Sequence, residues 1–231
     1  MAVVLDRHRQ RILAGPRWQG VVGNEKSVRL VRRLAQNVAR TGESDAILLW
    51  GESGTGKSLC AALAAREAGA CEAQVDEVSS GALDVGRIDS IIAESGYTSL
   101  YGTRAYIIEE VDTGSAAAIG RLLTWLERLP KRCIVVMTSN LEPGSLLPGA
   151  HGIAFHRRVT AIKFGKDGLQ TRTVGGERVP GPAAELVRAV LTEEGLDGRP
   201  LEYYQGIVRK AETNIGLAIV LAYQEAMSEG D

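Results

Sequence analysis

A chain of 231 residues with 45% hydrophobic, 24% charged and 5% aromatic residues has an ordinary globular composition. It can hold one full domain and a smaller appendage, and collagen-like and wholly disordered classes are excluded. The net charge is -1, but it is unevenly spread: residues 1–40 hold nine Lys/Arg against two Asp/Glu, and residues 41–130 hold six against fourteen.

No apolar run reaches the ~18 residues of a bilayer span. The short apolar start is interrupted by Asp6, Arg7, Arg9 and Arg11, so no signal-peptide core is read there and a cytoplasmic protein is expected. Cys60, Cys71 and Cys133 form neither a CxxC pair nor a metal-ligand spacing; reduced, mostly buried thiols are expected.

In chain order, the first periodic segment lies near 24–40. There Val28, Leu30, Val31, Leu34 and Val38 recur at helical spacing, with Arg29, Arg32, Arg33 and Arg40 available for the other face. This basic start reads either as a solvated face or as a surface for an anionic partner such as nucleic acid. From Ala46 to Thr138 short apolar runs alternate with longer helical stretches, the pattern of a parallel sheet covered by helices. The expected strands are Ala46–Trp50, Cys71–Val75, Ala105–Ile108, Cys133–Met137 and Val159–Phe164, with helices near 57–69, 84–95 and 115–129. The class is therefore α/β with a five-stranded parallel sheet. Beyond Phe164, residues 165–168 offer a turn and Leu169–Val174 could return as a further strand, while 175–182 reads as a linker. Ala183–Glu194, Leu201–Lys210 and Ala211–Met227 then read as three helices, dividing the chain into a core at 1–174 and a linker with a small helical lid at 175–231.

Chemistry concentrates in three places. Gly51-Glu52-Ser53-Gly54-Thr55-Gly56-Lys57-Ser58 matches GxxxxGK[ST], directly after an apolar strand and directly before a helix that opens with Lys57, Ser58 and Leu59. Such a loop can cradle phosphates with backbone N–H groups at a helix N-terminus; Lys57 would reach the β/γ-phosphates and Ser58 would ligate Mg²⁺, so ATP and Mg²⁺ are the expected ligands. Ala105–Ile108 ends in Glu109 and Glu110, two acids at the C-terminal end of a buried strand, where open α/β sheets bind ligands. Glu109 would hold Mg²⁺ and Glu110 would orient the attacking water. The run ending in Thr138-Ser139-Asn140 places Asn140 at the same edge as a polar partner for the γ-phosphate or the water.

This order of phosphate loop, strand with paired acids and strand ending in Asn resembles the AAA+ ATPases, and its flanks resemble the clamp-loader clade, the type of replication factor C and the bacterial clamp-loader motor subunit. Residues 17–25 (RWQGVVGNE) are similar to the segment that wraps the adenine, so Val21 and Val22 are expected to line the base. Tyr106–Asp112 matches the Walker B stretch and Val135–Asn140 the sensor 1 strand. Residues 84–89 (DVGRID) resemble the start of a helix that faces DNA in clamp loaders, with Arg87 at its head. Phe155-His156-Arg157-Arg158 stands where the family supplies an arginine finger to a neighbouring subunit, with Arg157 the better match and Arg158 the alternative. The resemblance implies an oligomer acting with DNA, and a sliding clamp or another replication protein as further partner.

Three features depart from that pattern. Glu109 stands where clamp loaders usually carry Asp, Gly216 falls where a sensor 2 arginine often opens the last lid helix, and no collar domain follows before Asp231. A superfamily 3 type helicase is the alternative, but residues 113–131 read as one helix and a short loop, leaving no room for its DNA-binding hairpin. An ATP-dependent adaptor that recruits another DNA-processing enzyme is the third reading. His8, His151 and His156 read as isolated surface or loop histidines, and Trp18, Trp50 and Trp125 as packing residues.

Overall fold

The structure, a computed structural model, describes residues 3–14, 18–79, 81–96, 102–146, 157–196 and 198–228. His151, His156 and the Phe155-His156 part of the finger segment lie outside the described residues. The chain divides into two compact units, one of Lys26–Gly51 with Lys57–Phe164 and one of Met1–Glu25 with Glu52–Gly56 and Gly165–Asp231. The second therefore gathers residues 1–25 and 165–174, which the sequence assigns to the core, with the C-terminal helices.

The first unit is the sheet unit. Strands β1 (Asp45–Gly51), β2 (Val75–Val78), β3 (Arg104–Ile108), β4 (Cys133–Ser139) and β5 (Thr160–Phe164) lie all parallel in the order β2-β3-β4-β1-β5. β4 is central and buried along its whole length, which is why its sequence is almost continuously apolar rather than alternating. Side chains still alternate between the faces. Leu48, Tyr106, Ile108, Val135 and Met137 pack with helices α4 (Val85–Ser95) and α5 (Ala116–Leu126). The intervening Ile47, Leu49, Ile107, Ile134 and Val136 are equally buried, and α3 (Lys57–Glu67), rich in alanine, packs on β1, β3 and β4. Helix α2 (Glu25–Thr41) buries Val28, Val31, Ala35 and Val38, and a four-residue α6 (Pro143–Leu146) follows β4. Asp84 and Ser115 cap α4 and α5, accepting from the Arg87 and Ala118 backbone N–H groups. Trp125 packs edge-on to Tyr106 at 5.1 Å and donates to Ser95 Oγ at 3.1 Å, a core role as expected.

The second unit is a helical bundle around Leu169, Val187, Leu191, Tyr204, Val208 and Ile219. Its helices are α1 (Val3–Leu13), α7 (Pro182–Glu193), α8 (Leu201–Lys210) and α9 (Ile215–Ser228), and it also carries strands β6 (Thr171–Val174) and β7 (Glu177–Pro180). α7 starts on Pro182, whose missing N–H costs nothing at the first helical position.

Three local readings are corrected and one element is added. The second strand is Val75–Val78, not Cys71–Val75, because Gln74 Oε1 accepts from the Cys71 N–H at 3.1 Å and folds 72–74 into a 3-10 turn. Cys71 is accordingly exposed, while burial pushes the Cys60 and Cys133 thiols up to about 12. The 175–182 stretch is not a linker: Gly175 and Gly176, both at positive φ, make the two-residue turn that pairs β6 with β7. The last helix begins at Ile215 because Glu212 and Thr213 are both left-handed, which breaks continuity from Ala211.

The fourth finding is α1, a helix that the sequence reading did not assign. Val4 joins the bundle core, Arg7 pairs with Glu194 at 2.8 Å, and Arg11 pairs with Glu193 at 2.9 Å and Glu194 at 2.5 Å. His8 lies between them with only 12% of its side chain exposed and Nδ1 lacking a hydrogen-bond partner among the described residues. Burial lowers its pKa below the usual 6.5, against the pull of Glu193. Because the unfolded chain binds this proton more readily, the stability is complete above pH ~6.5 and is lost as pH falls below it. Urea unfolding between pH 5 and 8 should show that acid-side loss, and His8→Asn should flatten it; an unchanged slope would place the loss elsewhere.

Candidate nucleotide site

The C-terminal ends of β1, β3 and β4 bring three of the expected groups into one hydrogen-bonded line. Lys57 opens α3 and is 7% exposed. Its Nζ donates to the Gly51 carbonyl at 2.6 Å and to Asn140 Oδ1 at 3.2 Å. Asn140 Nδ2 in turn donates to Glu110 Oε1 at 3.4 Å. A single amide thus accepts from the ammonium and donates to the carboxylate, which fixes its orientation chemically.

Each member is positioned by backbone chemistry. Gly51 has φ 132, and a Cβ there would meet the Phe164 carbonyl oxygen at 1.9 Å, so only glycine lets β1 turn into the loop beside β5. Glu110 is a non-glycine residue in the left-handed region, φ 49 and ψ 54, at a cost on the order of 1 kcal/mol. The conformer is held because its N–H donates to Thr138 Oγ1 at 2.9 Å and its carbonyl accepts from the Thr113 N–H and hydroxyl, each at 2.8 Å. Asn140 is held through its own N–H, donating to Asp112 Oδ1 at 3.1 Å. Thr138 and Asp112 are positioning residues that sequence reasoning did not assign a role, although both sit inside the stretches that carry the resemblance.

The other expected residues fall as follows. Glu109 directly follows β3, is half-buried, and its N–H donates to the Val78 carbonyl at 2.9 Å. Ser58 is exposed in the first turn of α3, followed by half-buried Leu59. Oxygen donors of this kind, a hydroxyl and a carboxylate, suit a hard cation such as Mg²⁺ that keeps most of its shell for water and phosphate.

In the second unit, Glu52 pairs with Lys166 at 3.4 Å, Ser53 is exposed, and buried Thr55 donates its hydroxyl to the Glu52 carbonyl at 2.8 Å. Gly54 and Gly56 have positive φ, 76 and 89. Val21 lies beside Gly56, within 3.7 Å of where a Cβ would stand, and Val22 packs on the helical cluster. A residue the sequence did not flag, Asn214, sits against Gly54: a Cβ there would come within 2.3 Å of its side chain. The Ile215 N–H donates to the Gly54 carbonyl at 3.2 Å, and Asn214 Oδ1 caps α9 by accepting from the Leu217 N–H at 3.0 Å. The start of α9 therefore touches the Glu52–Gly56 segment through a backbone N–H and an amide. An Asn followed by an apolar helix is a capping signal, but its loop partner is invisible in sequence.

Arg158 is held by Glu127, whereas Arg157 is exposed and enters no hydrogen bond or ion pair among the described residues. Arg87 is likewise held, by Asp76. Between β3 and β4 the chain forms a short 3-10 turn and α5. No helix among the described residues is long and apolar enough to cross a membrane.

Comparison with known proteins agrees with the fold. The family described as "ATPase family associated with various cellular activities (AAA)" matches residues 47–158. No curated protein sequence matches the chain. Among solved structures, two variants of RuvB from Thermotoga maritima superpose with a TM-score of 0.63 at 17% and 20% identity, covering 87% and 88% of this chain. The chain spans 61% of the length of those RuvB chains. A DNA polymerase III gamma subunit-related protein from Thermotoga maritima superposes with a TM-score of 0.52 at 16% identity, over 84% of this chain and 70% of its own. Residues 47–158 thus match the AAA family model, and the chain has an α/β fold like that of AAA+ P-loop ATPase structures such as RuvB.

Proposed function

We propose that this chain is a clamp-loader-type ATPase of DNA replication, which binds ATP with Mg²⁺, hydrolyses it, and works as an oligomer with Arg157 acting on the neighbouring subunit. The observation that carries the reading is the line from Lys57 through Asn140 to Glu110 at the strand ends. It gathers a cation for phosphate, an amide for orientation and a carboxylate for water.

Lys57 would pair with the β/γ-phosphates, exchanging neutral oxygen partners for charge-assisted ones. Gly51, Glu52, Ser53, Gly54, Thr55, Gly56, Ser58 and Leu59 would follow the phosphates, and Val21 and Val22 the base. Ser58 and Glu109 would hold Mg²⁺, which when bound neutralises charge on the phosphates. Glu110 would orient a water and accept its proton as the water oxygen bonds the γ-phosphorus and the bond to the β,γ-bridging oxygen breaks; Asn140 fixes the carboxylate's direction. Supplying Arg157 in trans would make turnover depend on assembly, and the pairing of Arg158 with Glu127 favours Arg157 for the task. The helical unit would serve as lid, with Asn214 and Ile215 carrying its coupling to residue 54.

Three experiments test this. Lys57→Ala should abolish detectable ATP binding, whereas Glu110→Gln should bind ATP normally and lose ~10²-fold or more in kcat; wild-type turnover by the Gln variant would reassign the catalytic carboxylate. Specific activity should rise with protein concentration, and mixing Arg157→Ala with Glu110→Gln subunits should restore turnover that neither shows alone. A concentration-independent rate with no gain on mixing would place the arginine outside the site. Asn214→Ala should lower stability by about 1 kcal/mol through the lost cap and raise KM for ATP; an unchanged KM would reduce Asn214 to a cap.

A further inference from the structure

Helix α2 carries a stripe of cations directly opposite its buried face. With Val28, Val31, Ala35 and Val38 turned inward, Lys26, Arg29, Arg33 and Arg40 fall within about 60° of arc on the far side at ~100° per residue. At ~1.5 Å per residue the stripe runs ~21 Å. All four side chains are exposed. Lys26, Arg29 and Arg33 enter no hydrogen bond or ion pair among the described residues, and Arg40 donates to the neutral Asn37 Oδ1 at 2.8 Å.

Cations elsewhere in the basic part of the chain are used differently. Arg32, off the stripe, pairs with Glu67 at 3.2 Å, and Arg7 and Arg11 pair with Glu193 and Glu194. The single acid of α2, Glu25, stands in its first turn, where the helix dipole favours it. The stripe ends at a cleft of about 180 Å³ lined by Arg40, Thr41, Gly42, Gly69, Thr103 and Arg132. Arg132 has φ 57 and is tied by its N–H to the Gly42 carbonyl at 2.8 Å, which sets a second exposed guanidinium beside Arg40 at a polar concavity.

The geometry points to α2 and its terminal cleft as a docking track for the phosphate backbone of nucleic acid. This deepens the reading above by giving its DNA partner a surface, and moves that surface away from Arg87, which Asp76 already holds. A protein partner would need an apolar anchor within a lysine-poor centre; along α2 the exposed large apolar residue is Leu30 alone, beside the stripe. Exposed cations in line along one helix face can contact phosphates, a source of affinity that is indifferent to sequence.

The test is fluorescence anisotropy of the full chain with a labelled 30-base-pair duplex of arbitrary sequence, from 25 to 200 mM NaCl. Four phosphate contacts predict a contribution of about -3.6 to the slope of log K against log salt. The variant K26A/R29A/R33A/R40A should lose at least tenfold in affinity at 50 mM salt and most of that slope. Its ATP binding and thermal melting should be unchanged, and the single reversal Arg33→Glu should weaken binding in the same direction. Wild-type affinity and slope in the quadruple variant would overturn the track while leaving the DNA reading standing. Absence of duplex binding by the unaltered chain at 25 mM salt would overturn both. Capture of polyglutamate in place of DNA would give the stripe to an acidic protein and overturn the track.

Discussion

The buried ammonium of Lys57 is the constraint on which the site's geometry turns. A cation that is 7% exposed must be met by oxygen, and the Gly51 carbonyl and Asn140 side chain meet it. These two oxygens sit at the ends of neighbouring parallel strands, β1 and β4, in register along six residue pairs from Asp45 with Ile134 to Trp50 with Ser139. The register of the central sheet therefore determines whether the cation is satisfied. The same Asn140 reaches Glu110 on the far side of β4, so one amide ties three strand ends together.

Around that link the backbone takes conformations that isolated sequence disfavours. Gly51 passes so close to Phe164 that a Cβ would overlap its carbonyl oxygen, and Glu110 holds a left-handed conformation that a hydroxyl and a turn stabilise. Both sit at strand ends facing the same edge, where local strain is tolerated because the buried sheet over-determines the geometry. The helical unit has its own version of this economy. Left-handed Glu212 and Thr213 turn the chain so that Asn214 caps α9 and the Ile215 N–H meets the Gly54 carbonyl.

Charge is divided by role. Arg7, Arg11, Arg32, Arg87 and Arg158 are tied to acids, several of them partly buried, where pairing offsets desolvation. Lys26, Arg29, Arg33 and Arg157 remain exposed and disengaged among the described residues. The composition of residues 1–40 is basic throughout, and the partners separate the structural cations from the available ones.

Sequence alone determined the α/β class and the strands β1, β3 and β4, because buried parallel strands are nearly continuous apolar runs, and it found the edge strand β5 within one residue. It also picked out the Gly51–Ser58 loop, Glu109, Glu110 and Asn140 as candidates, since each is a residue type expected at a fixed offset from a strand end, and the fold sets Lys57, Asn140 and Glu110 in one hydrogen-bonded line. The tertiary structure alone decided the rest. Helix α1 is amphipathic only weakly, and its arginines became legible once Glu193 and Glu194, far along the chain, were beside them. The strand expected at Cys71–Val75 moved because a single glutamine side chain closed a turn, and Gly175-Gly176 became a hairpin because strands on both sides were there to pair. Asn214 is legible in sequence only as a helix cap; its place against Gly54 depends on a contact about 160 residues long in sequence, which no local pattern encodes.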